Sequence, residues 1–473
     1  MARWATSIAV AALGAGLASC GILEARYHQP PLPVADAWPI PPENSEGVAA
    51  DIGWRDFFVD DRLRTLIGLA LDHNRDLRVA VLTVDKARAA YHIQRSYRLP
   101  EINANGSATR ERIAPVEFGG PASAGGQTSK FYSASLGITS FEFDLFGRVA
   151  SLSHAALQQY FAQSEARRAA QLSLIAEVAN AYLTLAADLE HQRIGEDTLE
   201  SQDASFKLME KRYRSGAASA LDLQQAKTTV ESARSDAARY AGAVAVDKNA
   251  LMVLVGVPIG AELLPTDFNP SVSGVTPLPA GLPSTVLLRR PDVLQAEHVL
   301  RAADASIGAA RAAFFPTISL TGSVGSVSTD LSGLFKSGTG TWSFVPQISV
   351  PIFSAGRATA NLRSANADRD IAIARYEQAI QESFREVADA LALTGTLRRQ
   401  TEAQQSLVDA TSEVFKLSEA RYKAGKDSYL ILLDAQRNDY AARQNLIATQ
   451  MSEQSNRVTL YKALGGGWVD AHH

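Results

Sequence analysis

Arg212-Tyr213-Arg214-Ser215-Gly216-Ala217-Ala218-Ser219-Ala220-Leu221 returns later in the chain as Arg421-Tyr422-Lys423-Ala424-Gly425-Lys426-Asp427-Ser428-Tyr429-Leu430, without gaps, at an offset of 209 residues. Self-similarity of this kind marks a duplicated chain. At the same offset, with a short local insertion, Phe146-Gly147-Arg148 meets Phe353-Ser354-Ala355-Gly356-Arg357. Further upstream, Arg98-Leu99-Pro100-Glu101-Ile102 matches Phe314-Phe315-Pro316-Thr317-Ile318, where a helical pattern gives way to an alternating one. Each half therefore reads helix, strand, strand, long helix, glycine turn, shorter helix.

The long helices set the architecture. Val149 to Arg214 and Arg357 to Lys423 each run for more than sixty residues without a proline, about 100 Å of helix at about 1.5 Å per residue. A helix of that length cannot bury itself inside a compact domain and must lie against other helices, as in a coiled coil or a helical barrel. Both tracts end at glycine turns and hand over to shorter helices, about Ser219 to Val255 and Ser428 to Leu464. An earlier helical pattern runs from near Phe57 to about Arg98, with Leu63, Leu66, Ile67, Leu77, Ala80, Val81 and Val84 three and four apart. Leu99-Pro100 ends it.

Between the helices the period changes to two. From Tyr132 to Ile138 the even positions are Tyr132, Ala134, Leu136 and Ile138, against Ser133, Ser135 and Gly137. From Trp342 to Ile352 they are Trp342, Phe344, Pro346, Ile348, Val350 and Ile352, against Ser343, Gln347 and Ser349. Ile102 to Thr109 and Thr317 to Val327 alternate more weakly. One apolar and one small polar face over about ten residues suits a transmembrane barrel strand, and equally a soluble sheet with one wet face. Four strands cannot close a barrel, whose smallest membrane form has about eight. If they span a membrane, other subunits must complete them, because an open edge in lipid leaves backbone groups unsatisfied. Cyclic symmetry is the simple solution, and a trimer supplies twelve strands.

The 473-residue chain carries a formal charge of −4 and no dense basic stripe interleaved with aromatics, so nucleic acid is not an expected partner. Its one cysteine excludes a disulfide framework and a thiolate metal cluster. That cysteine follows a short basic start and an apolar run, Ile8 to Leu17, in Leu17-Ala18-Ser19-Cys20, which resembles the lipobox of bacterial lipoproteins. The resemblance implies removal of residues 1–19 and a diacylglycerol on Cys20. Gly21, in place of the Asp that favours inner-membrane retention, points to the outer membrane. No later run of about twenty apolar residues predicts a membrane helix. The expected organisation is a signal peptide over 1–19, a Pro-rich lipidated strap over 20–55, a first repeat over 56–255, a Pro-rich linker over 256–285, a second repeat over 286–464 and a tail over 465–473.

Enzyme chemistry finds no motif. The eight histidines lack ligand spacing, no Gly-x-Ser-x-Gly elbow occurs, and no acidic pair stands out from the charged helix surface. The Gly/Ser-rich segments Gly119 to Gly126 and Ser332 to Gly340 open no helix with a Lys-Ser/Thr ending. They read as exterior loops. No catalytic residue, metal or cofactor beyond the Cys20 lipid is expected.

Together the lipobox, the Leu288-Arg289-Arg290-Pro291-Asp292 segment with Glu297, the paired Gly-Arg turns, the paired Arg-Tyr-x-x-Gly tips and Tyr429-Leu430-Ile431-Leu432-Leu433-Asp434-Ala435-Gln436 are similar to the TolC-like outer-membrane efflux channels, above all their OprM- and NodT-type lipoprotein branch. The resemblance covers about Trp54 to Leu464. It implies a chain that is mainly α with membrane β: a homotrimer forming a twelve-stranded barrel above a long periplasmic α-helical barrel, with an equatorial domain between them. It also implies a passive exit duct for drugs or toxic compounds in a tripartite efflux system, docked to a periplasmic adaptor (membrane fusion) protein and an inner-membrane pump of the RND type. A TolC-like channel for type I protein secretion, a periplasmic coiled-coil scaffold or adaptor, and a general diffusion porin are the competing readings. So much long helix disfavours the last.

The same resemblance nominates residues. Leu430 and Asp434 match the positions that ring the periplasmic mouth in the OprM-like branch, and their spacing puts them on one helix face. Carboxylates about 7 Å apart in wet surroundings repel by only about 0.6 kcal/mol. An Asp ring would thus select cations, and a close Leu ring would be the barrier. Gln225 takes the Asp434 position in the first repeat, and Ile431 stands where the family elsewhere has a further acid. Gly216 and Gly425, with Ser219 and Ser428, read either as adaptor-docking tips or as helix ends alone. Arg212, Tyr213, Arg421 and Tyr422 either hold the closed mouth by hydrogen bonds or pack.

Overall fold

The computed structural model describes residues 23–24, 27–38, 52–113, 127–268 and 284–466. Cys20 with its signal segment, Gly119 to Gly126, residues 269–283 of the Pro-rich linker and the end of the tail lie outside the described residues. In chain order the elements are α1 (Trp54–Phe57), α2 (Asp61–His73), α3 (Arg75–Ser96), β1 (Ile102–Ile113), β2 (Gln127–Phe143), α4 (Arg148–Arg214), α5 (Ala220–Val255), α6 (Pro291–Ala312), β3 (Thr317–Ser328), β4 (Gly340–Ser349), α7 (Arg357–Lys423) and α8 (Tyr429–Ala463), with short 3₁₀ turns between some of them.

The duplication is written into the backbone. Three pairs of left-handed glycines stand 209 residues apart: Gly147 and Gly356, Gly216 and Gly425, Gly256 and Gly465. Each supplies the positive φ that a chain reversal or helix end requires. The third pair went unnoticed in the sequence. A Cβ at Gly256 would lie 2.5 Å from the His73 carbonyl oxygen, so this helix end also needs the bare backbone for close approach. A second equivalence lies beside it. Asn74, just before α3, donates to the Leu254 carbonyl at 2.9 Å, and Arg290, just before α6, donates to the Ala463 carbonyl at 2.6 Å. In both repeats the residue that opens the strand-delivering helix ties down the last turn of the shorter helix.

The continuous helix expected from Phe57 to Arg98 is instead broken into parts. Asp60 caps α2 by accepting from the Arg62 and Leu63 amides, and extended Asn74 ends α2 and accepts from the Leu77 amide at 2.8 Å. The apolar spacing carries across these caps, but only α2 buries its stripe, at Leu63, Leu66, Ile67 and Ala70; α3 buries Leu77 alone and leaves Val81 exposed. β4 ends at Ser349 rather than Ile352, because Pro351 has no amide to donate to a ladder. β2 runs on to Phe143 through a bulge between Ile138 and Phe141, where Ser140 takes a φ of 54°.

Contacts divide the described chain into two compact units, each drawing on both repeats. One contains 84–163 and 296–376 with the start of the chain. Its sheet is an antiparallel meander, β1-β2-β3-β4, with Ile102 opposite Ile138, Leu136 opposite Val324 and Val324 opposite Trp342. One face collects Ile102, Leu136, Ile138, Leu320, Val324, Trp342, Phe344 and Ile348. On the other, Ser107 bonds Ser133 at 2.7 Å and Ser323 bonds Ser343 at 2.8 Å. At the helix end of the sheet Phe146 stacks on Phe315, centroids 4.8 Å apart. The N-terminal strap docks on this unit: Glu24 bonds His154 at 2.6 Å, Tyr27 donates to Glu297 at 3.0 Å, and the Leu23 carbonyl accepts from Arg311.

The second unit contains 31–83, 164–295 and 377–473. Its core joins Trp54, Phe57 and Phe58 to Leu63, Leu66 and Ile67 of α2, Leu174 to Leu185 of α4, Leu251 and Val255 of α5, and Tyr461 of α8. Phe57 stacks on Tyr461 at 3.8 Å, and the Tyr461 hydroxyl donates to the Ile52 carbonyl. α4 is apolar enough by composition to cross a membrane, yet these residues are the core. Full burial of each large side chain contributes about 1.5–3 kcal/mol.

Candidate functional site

The two repeated tips lie in the second unit. α4 ends in Lys211, Arg212 and Arg214, and α7 in Arg421 and Lys423, cations suited to the negative end of a helix dipole. Each tip then closes in the same way. The Gly216 amide donates to the Tyr213 carbonyl and the Ala217 amide to the Arg212 carbonyl; Gly425 and Lys426 do the same to Tyr422 and Arg421. These paired bonds absorb the orphan carbonyls of both helix ends.

Beyond the glycines the tips diverge. Ser219 caps α5 in a reciprocal box with Asp222, its hydroxyl accepting from the Asp222 amide while the carboxylate accepts from the Ser219 amide. Ser428 caps α8 by backbone geometry alone, since Ile431 stands where Asp222 does and offers no acceptor. The second tip is held instead by Asp427, which takes a bidentate pair from Arg421 at 2.6 and 2.8 Å. That pairing holds the Asp427 carboxyl below its ordinary range.

The tips also touch each other. Arg212 donates to the Tyr422 hydroxyl at 2.8 Å, with its guanidinium carbon 5.5 Å from the ring centroid. Tyr422 leans on Tyr429, centroids 5.5 Å apart. Tyr429 is buried with Met209, Ala226 and Leu433, and that burial, with Tyr422 and Asp222 nearby, pushes its hydroxyl up to about 12. Of the four predicted residues, Arg212 and Tyr422 join across the tips, Arg421 braces its own turn, and Tyr213 points outward, 44% exposed.

α8 opens with Tyr429 and Leu433 in this core, so Leu430, Ile431 and Asp434 fall on the opposite, open face. Leu430 is 57% exposed and Ile431 49%. Asn438, one turn on, reaches Asp434 at 3.4 Å. In the first repeat Leu221 is still more open, and Gln225 is half-buried. Asp222, Asp427 and Asn438 were missed in the sequence. The Ser-x-x-Asp spacing signalled Asp222, whereas Arg421 meets Asp427 only because the glycine turn folds the chain back.

A second polar cluster lies between α4 and α5. Asp188 and Asp247 face each other; burial first, then Asp188, pushes Asp247 up to about 6, and burial also raises Asp188. His191 stacks on Tyr240 at 4.9 Å, and Arg239 lies 4.3 Å from the same ring. Burial, then Arg239, depresses the His191 imidazole. Among the described residues no group of three His, Cys, Asp or Glu could hold a metal.

The duplicated frame with its paired tips is matched by the family model described as outer membrane efflux protein, over residues 66–257 and 282–466. The chain belongs to this family. It is an outer-membrane efflux channel protein, internally duplicated, mainly α with a β-sheet. It is 45% identical to the probable efflux pump outer membrane protein TtgC of Pseudomonas putida, covering 99% of this chain and 97% of TtgC. To the outer membrane protein OprJ of Pseudomonas aeruginosa it is 44% identical over 93% of this chain and 92% of OprJ. Among solved structures it is similar to the open state of the Neisseria gonorrhoeae MtrE outer membrane channel, with a TM-score of 0.86 and 41% identity, covering 94% of this chain and 98% of that one. CusC matches with a TM-score of 0.84 and 41% identity, over 94% of this chain and all of that one. The scaffold and diffusion-porin readings fall with this membership.

Proposed function

We propose that three copies of this chain form the outer-membrane duct of a tripartite efflux pump, a passive conduit with no catalytic step of its own. The observation that carries this reading is the open-edged sheet. β1 and β4 are its two ends, and β4 exposes Trp342, Phe344 and Ile348 on the apolar face. Those edges are untenable in lipid unless neighbouring copies pair with them. Three copies supply twelve strands. Cys20, lipidated, anchors the strap to the same membrane.

In this reading the Gly216 and Gly425 tips, with Ser219 and Ser428, meet the periplasmic adaptor, and an inner-membrane pump of the RND type drives export. The similarity to TtgC, a probable efflux pump outer membrane protein, supports a pump over protein secretion. Small toxic or antibiotic compounds are the expected cargo. Leu430 forms the apolar constriction and Asp434 the cation-selecting ring, because both are exposed in the single chain on one helix face. Native mass spectrometry in detergent should find three chains, and planar-bilayer recordings should find Leu430→Ala with Asp434→Ala markedly more conductive than wild type. A monomer inserted in lipid would overturn the closure argument. Unchanged conductance and cation preference in an assembled trimer would return the two residues to packing and surface.

A further inference from the structure

The apolar face of the sheet stops abruptly, and what lies beyond it is basic. Side chains alternate along a strand, so the face that carries Ile102, Ala104 and Ala108 on β1 also carries Arg110 and Arg112. On β2 the face of Leu136, Ala134 and Tyr132 continues to Lys130. The register sets Arg110 directly opposite Lys130 and Arg112 opposite Thr128. All three cations are exposed. Among the described residues none of them has an ion-pair or side-chain hydrogen-bond partner. The described acids nearby do not neutralise them: Glu111, opposite Ser129, lies on the other face. Asp330, next in register beyond Ser328, is exposed in the connection to β4 and forms no ion pair with Lys130. Like charges directly opposite on paired strands are destabilising, so this arrangement calls for an anion from outside.

Its height says which anion. From Phe143, at the helix end of β2, to Tyr132 the apolar face climbs eleven residue steps, about 36 Å of strand. At a barrel tilt of about 40° that stands about 28 Å tall, close to the apolar band of about 25 Å seen on outer-membrane barrels. The cations begin immediately past Tyr132, at the end away from the helices, where the headgroups of the outer leaflet lie. Neither a polar lumen nor an adaptor reaches this face.

We infer that Arg110, Arg112 and Lys130 form a site for the phosphate of a phosphorylated lipid headgroup in the outer leaflet. The site rests on the barrel reading above. The guanidinium groups supply paired donors to phosphate oxygens and the ammonium a compact charge. Three surface cations would together raise retention of such a lipid about a hundredfold.

The test uses the full-length protein in detergent, titrated with diphosphoryl lipid A and read by native mass spectrometry. Wild type should retain the lipid, with retention falling as salt rises. Arg110→Gln/Arg112→Gln/Lys130→Gln should retain about a hundredfold less, and Glu111→Gln, on the other face, should match wild type. Arg110→Gln alone serves if the triple variant does not assemble, with an expected loss of about fivefold. Equal retention by the variants and wild type would overturn the site. Displacement of the lipid by millimolar inorganic phosphate would assign it to a free anion instead. Oligomer mass is read in the same spectra, so a failure of trimer closure is seen separately from a failure of lipid binding.

Discussion

Tyr422→Phe removes one oxygen from the contact between the two tips and leaves the rest. The ring keeps its packing on Tyr429 and its place under the Arg212 guanidinium; only the 2.8 Å hydrogen bond is lost. A hydrogen bond to a charged donor contributes about 1.5–3 kcal/mol net when shielded. Arg212 is open to water and Tyr422 half-buried, which lowers the figure to about 1 kcal/mol. If this bond clasps the tips of the resting channel and the three protomers open together, the trimer loses about 3 kcal/mol, about a hundredfold in the opening equilibrium. Single-channel recording in planar bilayers measures the open fraction directly. Arg212→Gln should have a similar effect, and the double variant should resemble either single one, because both remove the same bond. An unchanged open fraction in assembled Tyr422→Phe trimers, or fully additive effects of the pair, would refute the clasp.

Ser219→Ala should lower stability by about 1 kcal/mol through loss of the capping box, while Ser428→Ala, which has no side-chain cap bond to lose, should leave the thermal midpoint almost unmoved. Arg290→Ala should cost about 2–3 kcal/mol in thermal unfolding; Asp292 and Glu386 keep water when their partner goes, but the Ala463 carbonyl loses its buried donor. Asp247→Asn addresses pH. The folded carboxyl titrates near 6 against an ordinary 3.8, so the folded state favours the protonated form. Its stabilising contribution is complete below about pH 4 and is lost as pH rises through about 6. Wild type should therefore melt progressively lower across that window, and Asp247→Asn should flatten the slope; a parallel curve for the variant would place the titration elsewhere.

Much of this was legible because duplication repeats its own signals. The Arg-Tyr-x-x-Gly tips set the repeat, and proline-free tracts set α4 and α7 to within a residue of Arg148–Arg214 and Arg357–Lys423. Alternation located all four strands. The caps at Asp60 and Asn74 escaped because an apolar period says which side is buried and nothing about where the backbone stops being helical. The Gly256 and Gly465 pair escaped because little sequence identity surrounds it, although its geometry is the same.

Sequence by itself determined the class of elements, their order, their duplication and the division of each strand into an apolar and a polar face, since periodicity and proline or glycine placement act locally. It also placed Leu430 and Asp434 on one helix face, which follows from 3.6 residues per turn alone. Only the tertiary structure decided that Arg212 meets Tyr422 while Arg421 turns to Asp427, that Asn74 and Arg290 hold equivalent carbonyls, and that Arg110 sits across from Lys130. Those contacts join residues from different elements or across a turn. Their geometry is set by how helices pack and how strands register, and neither is encoded in the spacing along one segment.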